Sequence, residues 1–341
     1  MSGAETARAA LATLPRVPLA HLPTPLDPCP RLSAHVGGAT IAVKREDCTG
    51  LAFGGNKVRQ HEYVLADALA RGCDCVIQGS AAQSNQSRQL AAAGARLGLE
   101  VHLTPRLSTA DEPLQGNALL DELLGATVHP VPADTSTIAF KAALAARLQA
   151  AGRKPYIIGM GATRSLVLAA VAYVECLFEI VEASGAPDWI FTSSQGSTQA
   201  GLLLGCRLLG LERTRVVGIN PMPAGHEAHR SADEIAALAT EASRLLRHDH
   251  VFERSDIVNS DAHVGDGYGV PSAAGLEALR LMARTEGIVL DPVYTSKALA
   301  GLLDDCRRGV VGPTDRAVFV HTGGTPAVFA YADALRGGSR A

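Results

Sequence analysis

From about residue 40 onward, short β-like runs alternate with amphipathic runs of helical length. That alternation restricts the chain to a mostly parallel α/β architecture, because parallel strands need crossover connections and helices supply them. The strand candidates are residues 40–45, 75–79, 101–104, 127–131, 156–159, 189–193, 215–220 and 317–321. The helix candidates are residues 58–70, 87–97, 116–124, 137–150, 165–184, 199–209, 231–247, 272–284 and 296–307. Val216-Val217-Gly218-Ile219 is apolar on both faces, as a strand covered by helices on both sides should be. A length of 341 residues suits about two domains. No linker separates them, so the second domain is expected to be woven into the first. Two stretches lack either period, the proline-rich residues 16–30 and residues 249–270. In open parallel sheets ligands bind beyond the carboxyl ends of the strands, so the loops after each strand carry the functional information.

Composition removes several function classes. Lys plus Arg number 31 against 34 Asp plus Glu, which gives no electrostatic footprint for nucleic acid. Aromatics make up only 4% of the chain, too few for base-stacking platforms. The longest apolar run, residues 165–183, carries Glu175, Glu179 and Glu182, so no membrane partner is expected. The start lacks a basic segment followed by an apolar one, which leads to the expectation of a cytoplasmic protein. The seven cysteines are odd in number and scattered, as inert thiols in a reducing compartment would be. His226 with His229, and His248 with His250, lack further ligands to complete a four-ligand set, so no metal is expected.

The loops after the strands are more specific. Residues 46–59 contain Gly54-Gly55-Asn56-Lys57. Gly50 and Gly55 have the separation found in a phosphate-binding loop, but Asn56 intervenes before the lysine and Val58 follows it, which breaks that pattern. What remains is a lysine held by glycine turns at a helix start. There the helix dipole and desolvation both favour the neutral amine needed to condense with an aldehyde; a solvated lysine is the plain alternative. Gln83-Ser84-Asn85-Gln86-Ser87 precedes an alanine-rich helix and has more polar side chains than an N-cap needs, which suits a carboxylate site. Gly196-Ser197-Thr198-Gln199-Ala200-Gly201 follows a strand and opens a helix. It has neither the lysine of a triphosphate loop nor the glycine spacing of a dinucleotide fold, so a monophosphate is the natural guest and a tight turn the alternative. Gly159-Met160-Gly161-Ala162-Thr163-Arg164 begins like a dinucleotide motif but has Arg164 where glycine is required. Thr322 follows the last strand, and Tyr268 and Tyr294 lie in turn-like segments.

Taken together, these stretches resemble the D-cysteine desulfhydrase and 1-aminocyclopropane-1-carboxylate deaminase family of fold-type II pyridoxal-phosphate enzymes. The matching runs are Leu22-Pro23-Thr24-Pro25-Leu26, Lys44-Arg45-Glu46-Asp47, Gly54-Gly55-Asn56-Lys57, Gln83-Ser84-Asn85-Gln86, Asp291-Pro292-Val293-Tyr294 and His321-Thr322-Gly323-Gly324, in family order. The resemblance implies two open, twisted, mostly parallel sheets flanked by helices. It implies a large cofactor-binding domain of residues 1–58 and 161–341, with a small domain of residues 59–160. It also implies pyridoxal 5'-phosphate as cofactor, a small amino acid as substrate, and a homodimer.

By the same resemblance Lys57 would carry the cofactor and Asn85 would bond its ring oxygen. Gly196, Ser197, Thr198, Gln199 and Gly201 would hold its phosphate. Ser84, Asn85 and Gln86 would face the substrate carboxylate, with Ser84 a candidate to move a proton. Tyr268 and Tyr294 would line the reaction face. Deaminases of the family have Glu and Leu where this chain has Thr295 and Thr322, and threonines favour a neutral pyridine nitrogen suited to simple β-elimination. The implied activity is therefore release of pyruvate, ammonia and hydrogen sulfide from D-cysteine. The alternatives are an L-cysteate sulfo-lyase, a D-serine dehydratase-type lyase, the deaminase, a racemase, and an amino-acid-binding protein without chemistry. Gln60 replaces a lysine that usually helps neutralise the phosphate, with Arg59 or His61 as possible compensation, and Gln86 stands where many relatives have His.

Overall fold

The computed structural model describes residues 3–79, 81–106, 114–132, 134–159, 163–194 and 196–336. Ser80, Gln195 and residues 160–162 of the broken dinucleotide-like motif lie outside the described residues. The strands are β1 (Leu26–Pro28), β2 (Thr40–Lys44), β3 (Cys75–Gln78), β4 (Glu100–Leu103), β5 (Thr127–Val128), β6 (Pro155–Ile157), β7 (Trp189–Ser193), β8 (Arg215–Ile219), β9 (Val258–Ser260) and β10 (Arg316–Val320). The helices are α1 (Gly3–Thr13), α2 (Pro30–His35), α3 (Asn56–Ala70), α4 (Asn85–Leu97), α5 (Gly116–Leu123), α6 (Thr137–Ala150), α7 (Thr163–Ser184), α8 (Ser197–Leu208), α9 (Ala232–Leu245), α10 (Ala273–Glu286), α11 (Thr295–Arg307), α12 (Ala327–Ala330) and α13 (Ala332–Arg336).

They build two sheets. One has six strands in the order β1-β2-β10-β7-β8-β9, the other four in the order β5-β4-β3-β6. Every pairing is parallel except that of β1 with β2. The parallel register of β2, β10 and β7 brings the loops after Lys44, Val320 and Ser193 to one edge. The strands of the smaller sheet all fall between residues 75 and 157. The division at residues 59–160 remains a proposal, and a boundary at 58 would fall inside α3, which runs unbroken from Asn56 to Ala70.

Two of the stretches read as irregular each contain a short strand. β1 lies in the proline-rich start and β9 in residues 249–270; three residues each is too short to show a period. The strand expected over 127–131 stops at Val128: His129 and Val131 still donate to the carbonyls of Leu103 and Pro105, but Pro105 has no N–H to return to the ladder.

Helix α7 is buried over most of its length and packs between α3 and α8 in the main apolar cluster. Gly201 makes that packing possible: a Cβ there would lie 2.0 Å from the Ala170 carbonyl oxygen. The lack of a side chain at this position thus serves the helix packing.

A polar knot is buried beside this cluster. The Arg59 guanidinium donates to both oxygens of Glu46, at 2.9 and 2.8 Å, and to both of Glu179, at 2.7 and 2.9 Å. Glu46 also accepts from Thr24 Oγ1 at 2.6 Å and Tyr173 Oη at 3.0 Å, and Lys44 Nζ donates to Glu179 at 2.6 Å. Burial alone would push the Glu46 carboxyl up, but the Arg59 charge, with Thr24 and Lys44, holds it below the usual carboxylate range. The knot ties the N-terminal segment, β2, α3 and α7 together, and fixes the helix whose first turn carries Lys57.

Candidate active site

Two connected cavities meet at Lys57. The smaller, of about 470 Å³, is lined by Asn56, Lys57, Ser84, Asn85, Gln86, Ser193, Thr198, Tyr294 and Thr322. The larger, of about 730 Å³, adds Gln60, His61, Gln78, Ser165, Ser197 and Arg230 among its polar lining residues. The structure thus brings most of the candidate residues, from both sheets, to one cleft.

The chain has five lysines, and four of them bear on this question. Lys44 donates to Thr24 and Glu179, Lys141 to the Ile158 carbonyl, and Lys297 to the carbonyls of Val264 and Gly267. Lys57 has no acceptor among the described residues. Burial pushes its amine down to about 8. The same desolvation brings Lys141 and Lys297 to about 8, so the depressed value alone does not single out Lys57. Its free amine at the junction of two cavities does. A group titrating near 8 offers roughly several-hundredfold more neutral amine at neutral pH than an ordinary lysine. The rate at which cofactor-free protein takes up pyridoxal phosphate should therefore rise through pH 8 and level off by about pH 9. Stopped-flow absorbance tests this; a rise continuing past pH 10 would contradict it.

Gly55 N-caps α3 with φ 130°, and a Cβ there would meet the Gln89 amide at 2.3 Å. Across the cleft, a Cβ on Gly323 would lie 2.7 Å from Gly55 Cα, and one on Gly324 would lie 2.6 Å from Asp291 Cβ and 2.8 Å from Asn85 Nδ2. The Gly54-Gly55 and Gly323-Gly324 turns therefore pack directly against each other near Lys57, at a distance only glycine allows.

The loop before α8 makes an anion cup. Gly196, at φ 112°, turns the chain so that the first-turn N–H groups face the cleft. Thr198 Oγ1 accepts from Asn56 Nδ2 and from Gln60 Nε2, both at 3.2 Å. With two donors on its oxygen, its own proton is left to donate toward an anion. Gln60 thus serves the cup through Thr198 without adding charge. Ser197 Oγ donates away, to the Leu166 carbonyl at 2.9 Å, which leaves only its backbone for the cup. The Gln199 side chain reaches β9, donating to Val258 O and accepting from Asn259, so only its main chain is available as well.

Neither candidate for replacing the missing cation does so. Arg59 lies two residues beyond Lys57 on a helix, on nearly the opposite face, and is spent in the knot with Glu46 and Glu179. His61 lies on the Lys57 face, but burial, and then the Lys57 charge, push it down to about 3, so it is neutral. Its ring is fully buried, with the Gln86 backbone beside it.

Ser84 N-caps α4 and accepts from the Ser87 N–H at 3.2 Å. Asn85 Oδ1 accepts from Asn117 Nδ2 at 2.8 Å, which leaves the Asn85 NH₂ facing Gly324. Tyr294 lines the smaller cavity, and its hydroxyl pairs with that of Tyr268 at 2.5 Å, which places Tyr268 behind it. Burial, and then Tyr268, hold the Tyr294 hydroxyl well above its usual range, so it stays protonated. The two threonines differ. Thr322 lines the cavity, whereas Thr295 is fully buried and directs its proton to Asp291 Oδ1 at 2.6 Å. Of that pair only Thr322 presents itself to the cleft. Asn56, Ser193 and Asn117 were not singled out from sequence; Asn56 could have been, as the neighbour of Lys57 in the glycine turn.

Residues 17–323 match the family model described as pyridoxal-phosphate dependent enzyme. The chain belongs to that family. It is 37% identical to a 1-aminocyclopropane-1-carboxylate deaminase of Burkholderia vietnamiensis (strain G4 / LMG 22486), over 96% of this chain and 99% of that one. It is 39% identical to a D-cysteine desulfhydrase of Salmonella typhi, over 94% and 97%. The solved structure of an ACC deaminase homologue superposes with a TM-score of 0.87 at 36% identity, covering 97% of this chain and 98% of that one. Escherichia coli diaminopropionate ammonia lyase, at 16% identity and a TM-score of 0.67 over 98% and 91%, shares the fold. The architecture is that of the fold-type II enzymes, and pyridoxal phosphate is the cofactor. The free Lys57 amine and the cup at Thr198 fit its aldehyde and its phosphate, and the cavity between them is lined by Ser84, Asn85, Tyr294 and Thr322. The protein is a pyridoxal-phosphate-dependent lyase of the deaminase and desulfhydrase group.

Proposed function

We propose that this lyase eliminates the β-substituent of a small D-amino acid, with D-cysteine and water giving pyruvate, ammonia and hydrogen sulfide. The observation that carries the reading is the absence of any carboxylate from the lining of the smaller cavity among the described residues. Asp291, three residues before Tyr294, spends its oxygens on the N–H groups of Val293, Tyr294 and Thr295 and on the Thr295 hydroxyl. Thr322 would offer the cofactor's pyridine nitrogen a hydroxyl and no negative charge that would hold it protonated. That weaker electron sink suffices when a leaving group departs as negative charge forms at Cα, whereas opening a cyclopropane ring needs a stronger one.

When bound, the cofactor supplies the sink that acidifies the Cα–H bond of an amino acid. The chain does the rest. The N-terminus of α4, with Ser84, Asn85 and Gln86, binds and orients the substrate carboxylate. Lys57 Nζ takes the α-proton, with Ser84 Oγ as the second candidate base. The Tyr294 hydroxyl, held by Tyr268, delivers a proton to the departing sulfur.

The test offers the loaded enzyme D- and L-cysteine, L-cysteate, D-serine, β-chloroalanine and the cyclopropane acid, with pyruvate or 2-oxobutyrate measured. D-cysteine should lead in kcat/KM, with pyruvate as product. Leading turnover of the cyclopropane acid to 2-oxobutyrate would overturn the reading in favour of the deaminase, and leading turnover of L-cysteate or D-serine would overturn the choice of leaving group. Racemisation without keto acid, or binding without turnover, would overturn elimination itself.

A further inference from the structure

Arg88 is completely buried on α4, one turn beyond Asn85, and has no ion pair among the described residues. All its donors go to neutral oxygens. Nε donates to Asn117 Oδ1 at 2.8 Å, and the other two nitrogens donate to the carbonyls of Ala52 and Gly54 in the turn that leads to Lys57. A guanidinium can only donate. The Asn117 oxygen must therefore face it, and the Asn117 NH₂ must face the other way. Its two protons go to Gln83 O at 2.9 Å and Asn85 Oδ1 at 2.8 Å. Asn85 is fixed in turn, with its oxygen inward and its NH₂ toward the cleft without an acceptor among the described residues.

We propose that Arg88 and Asn117 are positioning residues that set which end of the Asn85 amide meets the cofactor. The relay admits one polarity, and it presents a donor. That is what an anionic ring oxygen, which can only accept, requires. Arg88 donates to no carboxylate among the described residues, although the buried Asp121 carboxyl lies within range of its charge, and it acts on that oxygen through two amides. The same side chain holds the turn before Lys57, so the cofactor's two attachment points share one anchor. The inference rests on the placement of Asn85 against the ring oxygen given above.

The experiment compares Asn117→Asp, Asn117→Ala and Asn85→Leu, each loaded with pyridoxal phosphate. The readouts are the position of the visible band, the pH at which it titrates, and the cofactor dissociation constant. Asp at 117 accepts from Arg88 but has no proton for Asn85, so Asn85 turns over and offers its oxygen to the ring. The proton on the nitrogen that links Lys57 to the cofactor is then held more tightly. Asn117→Asp should match Asn85→Leu, with a titration midpoint up by about one unit and affinity lowered about tenfold. Asn117→Ala frees Asn85 to choose, and should change both by less than half as much. A packing role would give the reverse order, because Ala leaves the larger void. A wild-type band, midpoint and affinity in Asn117→Asp, with Asn85→Leu displaced, would overturn the relay and leave Asn85 in place. Wild-type values in Asn85→Leu would overturn the placement of Asn85, and the relay with it.

Discussion

Lys57→Ala should fold, bind pyridoxal phosphate only weakly, show none of the visible band of the loaded enzyme, and lose lyase activity by at least about three orders of magnitude. The size follows from the double use of one atom. Lys57 Nζ holds the aldehyde end of the cofactor and is also the first candidate for the α-proton, and no second amine stands at the junction of the two cavities. Lys44, Lys141 and Lys297 have acceptors of their own and do not line the smaller cavity. Truncation removes no hydrogen bond to a described residue, so the thermal midpoint should stay close to wild type. Added methylamine can form the external link but cannot be positioned, so it should restore only a small fraction of turnover. Near-normal activity in this variant would remove the chemistry proposed for the cleft.

Arg59→Met is the counterpart on the stability side. It leaves Glu46, fully buried, with its charge uncompensated by the guanidinium, and a broken buried pair of this kind costs about 3–5 kcal/mol. Urea unfolding should show that loss, and the double variant Glu46→Leu with Arg59→Met should recover part of it: the buried Glu46 charge is gone and Lys44 still pairs with Glu179, while the Thr24 and Tyr173 hydroxyls lose their acceptor. The pH dependence has a fixed sign. The folded-state value of Glu46 is lowered, so its contribution is complete above the ordinary carboxylate value of about 4.3 and is lost as pH falls through the folded value. Wild type should therefore lose stability faster than the double variant on acidification. Because Arg59 fixes the helix that begins at Lys57, Arg59→Met should also loosen cofactor binding; the double variant separates the two effects.

What the sequence disclosed follows from the range of the interactions involved. Trp189–Ser193 and Thr137–Ala150 coincide with their expected limits; the start of the helix is marked locally by the Ser136 N-cap. The glycine turn at Lys57, the polar loop at Ser84 and the cup at Gly196 could be read because each is a contiguous strand-end loop. The relay could not. Asn117 lies 32 positions from Asn85, and only the packing of α5 on α4 brings them together. The direction of Arg59 could have been read from helical geometry, since a residue two positions on points away from Lys57. That Thr295 serves Asp291 and not the cleft could not, because Asp291 is four residues away across a helix start whose geometry the sequence does not show. Gln199 and Gly201 belong to the cup in sequence, but one side chain serves β9 and the other position serves the contact with α7.

The attachment point itself can be measured directly. The loaded enzyme is reduced with borohydride, digested, and mapped by mass spectrometry for the lysine that carries the phosphopyridoxyl group. The modification is expected on the peptide that contains Lys57 and on no other. A label on Lys44, Lys141, Lys154 or Lys297, with Lys57 unmodified, would contradict the account at its root.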